Sequence, residues 1–190
     1  MRYLVASGLP SAQLPPGCRL VADGEAMAFE QPWSFGAPLI ARVDDTANLD
    51  AIKSTPGVSA LQVEGIGEPD SSGQAFAIGA HLMRDPEGFK PYVAGVGAVS
   101  KEYGCRYFAR GGAVTPLAGS FVPDRLVLMQ FASADDAVAF YFSASYAPLL
   151  SIRLRTTVAR FVLMARAGAL PDSARRVIAA RLPAARKGSI

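Results

Sequence analysis

Shifted by 87 residues, the sequence lies over itself: GCRLVADGEA at 17–26 falls on GCRYFARGGA at 104–113, and PLI at 38–40 falls on RLV at 125–127. After a slip of one residue, RVDDTANLDAI at 42–52 falls on QFASADDAVAF at 130–140. One unit is present twice, so whatever folds the second copy also constrains the first.

The second copy reads as a full unit. FAIGAHLM (76–83) is a strand, and Asp85-Pro86-Glu87 starts a helix with proline in the first turn, where its missing N–H costs nothing. Phe89, Tyr92, Val93, Val96, Val99 and Tyr103 recur at spacings of three and four, the stripe of a helix that ends at Gly104. CRYFAR (105–110) is a strand, Gly111-Gly112 a turn, RLVLMQF (125–131) a strand, Ser133 the cap of a helix running to about Ala147, and TVARFVLMA (157–165) the last strand. The order β-α-β-β-α-β is that of a ferredoxin-like unit. In the first copy the loop LPSAQLPPG replaces the first helix, followed by strands near 18–23, 26–30 and 38–43, a short helix near 46–54 and a strand at 58–64. The expected organisation is a truncated repeat at 1–66, a linker-like GIGEPDSSGQ, a complete repeat at 75–168 and a basic tail at 169–190 opened by a short helix.

Composition narrows the function. Two cysteines, Cys18 and Cys105, and a single histidine, His81, rule out a disulfide framework and a multi-histidine metal site; no cofactor is expected. Residues 1–70 carry four basic and nine acidic groups, 71–165 nine and six, and the last 25 residues six and one. The net charge of +3 therefore comes from a tail with few aromatics to stack on bases, and no nucleic-acid partner is expected. The apolar run Ala137 to Ile152 is short of the ~20 residues that span a bilayer, and YLVASGL before Pro10 is too short for a secretory signal. A cytoplasmic protein with reduced thiols and no membrane partner is expected.

The second copy also resembles a known family, the domain-of-unknown-function family 1330 of the dimeric α/β-barrel superfamily. The residues that carry the resemblance are Asp85-Pro86-Glu87 with Phe89, Tyr103-Gly104-Cys105-Arg106-Tyr107, Arg110-Gly111-Gly112, Pro123-Asp124-Arg125, and Phe131, Ser133, Ala137, Tyr141, Ser143 and Tyr146. Gln130 stands where that family often has an acid, and Phe140 where tryptophan is common. The resemblance implies an α+β fold in which two ferredoxin-like repeats face each other as a single-chain pseudo-dimeric α/β barrel with a chamber inside. It also implies relatives with diverse chemistry, so the fold alone does not name the reaction.

Alternation along the strands sorts the candidate site. Phe76, Ile78, Ala80 and Leu82 read as the helix-facing set, leaving His81 and Met83 toward the chamber, joined there by Arg106, Phe108, Arg110, Gln130 and Arg160. His81, Arg110 and Arg106 are the catalytic candidates: an imidazole of pKa near ~6.5 to take a proton α to a carbonyl, and arginines to hold the enolate. Gln130, Arg160, Phe108, Met83, Tyr141 and Trp33 are the substrate-binding candidates, with Trp33 in a loop covering the chamber. Structural readings stand beside these. His81 can be a hydrogen-bonded core residue, Arg106 and Arg110 can pair with Asp23 or Glu25, Tyr141 and Tyr146 can be core, and Arg125 reads as a turn or surface charge. The expected function is a cofactor-independent cyclase- or isomerase-type enzyme on an anionic or polycarbonyl small molecule. Alternatives are a non-catalytic ligand-binding or accessory protein and a cofactor-free or heme-dependent monooxygenase with His81 as axial ligand. A homodimer of such pseudo-dimers completes the expectation.

Overall fold

The computed structural model describes residues 1–30, 36 and 38–182. It is an α+β protein whose described strands form two antiparallel five-stranded sheets. The chain runs β1 (Arg2–Ser7), β2 (Cys18–Ala22), β3 (Ala26–Ala28), β4 (Pro38–Val43), α1 (Asp50–Lys53), β5 (Ser59–Glu64), β6 (Ala75–Met83), α2 (Pro86–Glu102), β7 (Arg106–Arg110), β8 (Val114–Ala118), β9 (Arg125–Phe131), α3 (Ala134–Tyr141), α4 (Ala147–Thr156), β10 (Thr157–Ala165) and α5 (Asp172–Arg181). The first sheet has the order β2-β4-β1-β5-β8 and the second β3-β10-β6-β9-β7. The two sheets are open and do not close into the expected barrel. Each ends instead on a strand borrowed from the other half of the chain: β8 pairs with β5, and β3 with β10.

The local chemistry explains the elements. Asp85 caps α2 by accepting from the Gly88 N–H at 2.9 Å, Pro86 occupies the first turn, and Phe89, Tyr92 and Val96 form its buried stripe. Ser133 and Asp136 make a reciprocal capping box on α3. The helix expected from Ser133 to about Ala147 ends at Tyr141, where the Tyr146 N–H turns to Ser143 Oγ at 3.1 Å, and a second helix, with Pro148 in its first turn, runs on to Thr156 beyond the expected end. The sequence reading missed β8, whose Pro116 is tolerated because the strand lies on a sheet edge.

Three apolar layers result. One lies between the sheets, where Tyr3, Val5, Ile40 and Leu61 of the first meet Phe76, Ile78, Phe108, Leu128 and Met164 of the second. A second lies between the second sheet and its helices, built on Phe89, Tyr92, Val96, Met129, Tyr146 and Phe161. The third covers the far side of the first sheet around Leu4, Leu39 and Ile52. This arrangement inverts the expected faces of β6: Phe76, Ile78 and Ala80 point between the sheets, while Ala75 and Ala77, two of the residues alternating with them, lie in the helix layer. Among the described residues no helix is long and apolar enough to cross a membrane.

Candidate functional site

The polar side chains that the fold gathers lie on the helix side of the second sheet. In the β6–β9 register His81 stands opposite Arg125, which puts both side chains on one face. On β7 a bulge between Tyr107 and Ala109 sets Arg110 opposite Val127 and Tyr107 opposite Met129, so Arg110 reaches the same face. With Tyr92, Val93 and Val96 of α2 and Phe161 of β10 these residues enclose a cavity of ≈ 20 Å³, room for about one water. Gly97 of α2 leaves space for the Arg110 guanidinium, since a Cβ there would stand 2.7 Å from its Nη2. Beyond Arg125 an open cleft of ≈ 300 Å³ begins, walled by Met83, Pro86, Phe89, Gly111, Gly112 and Asp124.

The electrostatics of this seam are lopsided. Arg110 lies over the Tyr107 ring at 4.7 Å, and Arg125 Nη2 donates to the Arg110 carbonyl at 3.0 Å. Among the described residues neither guanidinium has a carboxylate within ion-pair distance. His81 is buried, and neither ring nitrogen closes a hydrogen bond. Burial first, then the charges of Arg153 and Arg125, hold its pKa well below 6.5, against a smaller opposing pull from the Arg125 backbone. Its resting form is the neutral imidazole. Burial also raises the Tyr107 phenol to about 12.

Behind the seam runs a buried polar network. Arg153 of α4, with 0% exposure, pairs with Glu30, two residues beyond β3. Glu30 Oε1 also accepts from the Tyr141 hydroxyl at 2.8 Å, and Arg153 Nε donates to the Tyr146 hydroxyl at 3.1 Å. The Tyr146 and Tyr92 hydroxyls are 3.3 Å apart. The first half of the chain thus reaches into the helix layer of the second.

A scan against protein families adds one match. Residues 74–167 match the family described as Domain of unknown function (DUF1330). No curated protein matches the chain. The DUF1330 segment runs from β6 through β10, so it contains every wall of the seam, while Glu30 lies outside it.

Within and around the DUF1330 segment the expected site residues scatter. His81 and Arg110 come together as expected, but against α2 rather than between the sheets. Arg106 is mostly exposed and pairs with Asp70 at 2.9 Å. Gln130 clamps the same residue, accepting from the Asp70 N–H at 2.7 Å and donating to its carbonyl at 2.5 Å, so both fasten the linker. Neither Arg106 nor Arg110 pairs with Asp23 or Glu25 in the described structure; Glu25 pairs with Arg175 instead. Phe108 is packed between the sheets edge-on to Tyr3, and Met83 lines the outer cleft. Arg160 lies over the Phe121 ring at 3.8 Å, away from the seam, and its Nη1 has no hydrogen-bond partner. Tyr141 belongs to the Glu30 network, and Trp33 lies outside the described residues. The residues the sequence reading missed are Arg125, Tyr92 and Arg153. RLVLMQF starts on Arg125 as expected, with Asp124 tied back to the Met83 N–H at 2.7 Å; what the reading of Arg125 as a turn or surface charge does not anticipate is its place on the wall of the seam. A cavity of this size under α2, with Phe89 5.9 Å from the His81 ring, does not admit heme to that histidine.

Proposed function

We propose that the chain is a cofactor-independent small-molecule domain that takes an anionic, carbonyl-bearing ligand at the helix-side seam and moves a proton on it. One observation carries the reading: an imidazole with both nitrogens unpartnered shares a cavity with two guanidiniums that lack a carboxylate among the described residues. In the proposed step a ligand carboxylate meets Arg125 from the outer cleft and draws that side chain aside, which widens the one-water cavity enough for the ligand's α-carbon to reach His81. A neutral His81 nitrogen takes a proton from the carbon α to the ligand's carbonyl, and the C–H electron pair moves into the carbonyl. The resulting enolate oxygen is held by an arginine N–H, and the imidazolium returns the proton at another position. The surroundings oppose an imidazolium, so His81 gains basicity only when the ligand's negative charge offsets Arg125 and Arg153. That requirement selects anions. The same low basicity favours, as a second reading, binding without turnover.

The same proposal treats the two sheets as two ferredoxin-like copies joined in one chain as a pseudo-dimer. Supporting it are the offset repeat, the matching orders β2-β4-β1-β5 and β7-β9-β6-β10, and the reciprocal loan of β8 and β3.

The test is carbon-bound hydrogen exchange. A panel of 2-oxo and 3-oxo carboxylates in D2O is followed by NMR with wild type and His81→Gln. The expected result is protein-accelerated exchange α to the carbonyl for at least one compound, reduced by about 10²–10⁴-fold in the variant at unchanged melting temperature. Ligand-induced shifts of the single histidine without exchange would leave only the binding reading, and no shift with any compound would overturn both.

A further inference from the structure

The hydroxyls behind the seam offer more protons than acceptors. Tyr146 is fully buried, and its hydrogen bonds are to Arg153 Nε at 3.1 Å and the Tyr92 hydroxyl at 3.3 Å. Arg153 can only donate, so the Tyr146 oxygen is an acceptor there. Its own proton then has one oxygen to meet, that of Tyr92. Of the two directions the pair allows, donation from Tyr146 to Tyr92 is the one that gives the buried Tyr146 proton an acceptor, and it turns the Tyr92 proton away from Tyr146. Tyr92 also lines the cavity shared with His81 and Arg125. Burial keeps the Tyr92 phenol protonated far above neutral pH, so the donor is permanent.

We infer that Tyr92 is a ligand-binding residue of the seam, an O–H donor with no acceptor of its own behind the seam. The inference rests on the proposed anion site and deepens it. The site becomes one of convergent donors, Tyr92, Arg110 and Arg125, around an acceptor nitrogen of His81. Such a set fits a ligand that presents two oxygens of one carboxylate or enolate and a C–H or O–H directed at the imidazole. It discriminates against a cationic or purely apolar ligand, which would leave these donors without acceptors.

Formate, the smallest carboxylate, is the probe, titrated into the full chain at constant ionic strength against chloride. The signals of the single histidine report occupancy. Wild type is expected to show saturable shifts of the His81 ring. Tyr92→Phe is expected to weaken formate by about 10- to 100-fold, the range for a hydrogen bond to a charged acceptor. Its ring signals without formate and its melting temperature should stay near those of wild type. Tyr146→Phe removes a comparable buried hydroxyl but leaves the Tyr92 donor, and is expected to keep formate affinity within about threefold. Equal affinity in wild type and Tyr92→Phe would overturn the inference and leave the anion site standing. Equal losses in both variants would also overturn it, because packing would then explain them. No saturable shift in wild type would overturn the anion site and the inference together.

Discussion

His81 is a buried base kept neutral, and that has a consequence for stability. Its pKa in the folded protein lies well below 6.5, while in the unfolded chain it returns to about 6.5. Below pH 6.5 the unfolded state therefore binds the extra proton, and stability falls as the pH drops toward the folded pKa. The slope steepens below pH 6.5 toward the limit of about 1.4 kcal/mol per pH unit for a single group. His81→Leu is expected to lose this component in chemical denaturation at stepped pH, and an unchanged slope would assign it to carboxylates. The thiols separate in the same way: burial raises the Cys105 thiol to about 12, whereas Cys18 is less buried and its pKa is raised by burial and by Asp44. A maleimide at pH 7.5 is expected to label Cys18 well before Cys105, read by peptide mass; the reverse order would contradict the burial of Cys105.

The elements show why part of the site was readable in sequence and part was not. Most strand positions and the starts of α2, α3 and α5 follow from periodicity, capping residues and the glycine turns, because each leaves a local signature, whereas the edge strand β8 and the break between α3 and α4 do not. Nor does the face of β6. Both of its faces are buried, one against helices and one against the other sheet, so AFAIGAHLM alternates between two apolar environments and parity cannot distinguish them. Arg110 reached the seam through a bulge that no residue of CRYFAR announces. His81 and Arg110 were thus named correctly as neighbours but put on the wrong side of the sheet. Arg153 was invisible because its partner Glu30 lies 123 residues away, in the other half of the chain. That pair makes its own prediction. Glu30→Gln leaves a guanidinium buried without its counter-charge and is expected to cost about 3–5 kcal/mol. The paired change Glu30→Leu with Arg153→Met should recover most of that loss in urea melts. Failure of the pair to recover would show that Glu30 acts through something other than Arg153.

The two halves hold each other by exchange: β3 completes the second sheet, β8 completes the first, and Glu30 neutralises Arg153. A fragment of residues 75–168 would lack β3 and Glu30 and would bare Phe76, Ile78, Phe108, Leu128 and Met164. It is expected to self-associate in sedimentation, and a stable monomer at high concentration would contradict the reciprocal packing. The division of labour proposed for this architecture is that the layer between the sheets holds the protein together while the layer under α2 meets the ligand. Methyl-resolved NMR tests that division most directly. During titration with a carboxylate that shifts His81, the methyls of Val93, Val96, Val127 and Met129 should move, and those of Val5, Leu61, Leu128 and Met164 should not. Movement confined to the second group would place the ligand between the sheets and contradict the assignment of the site.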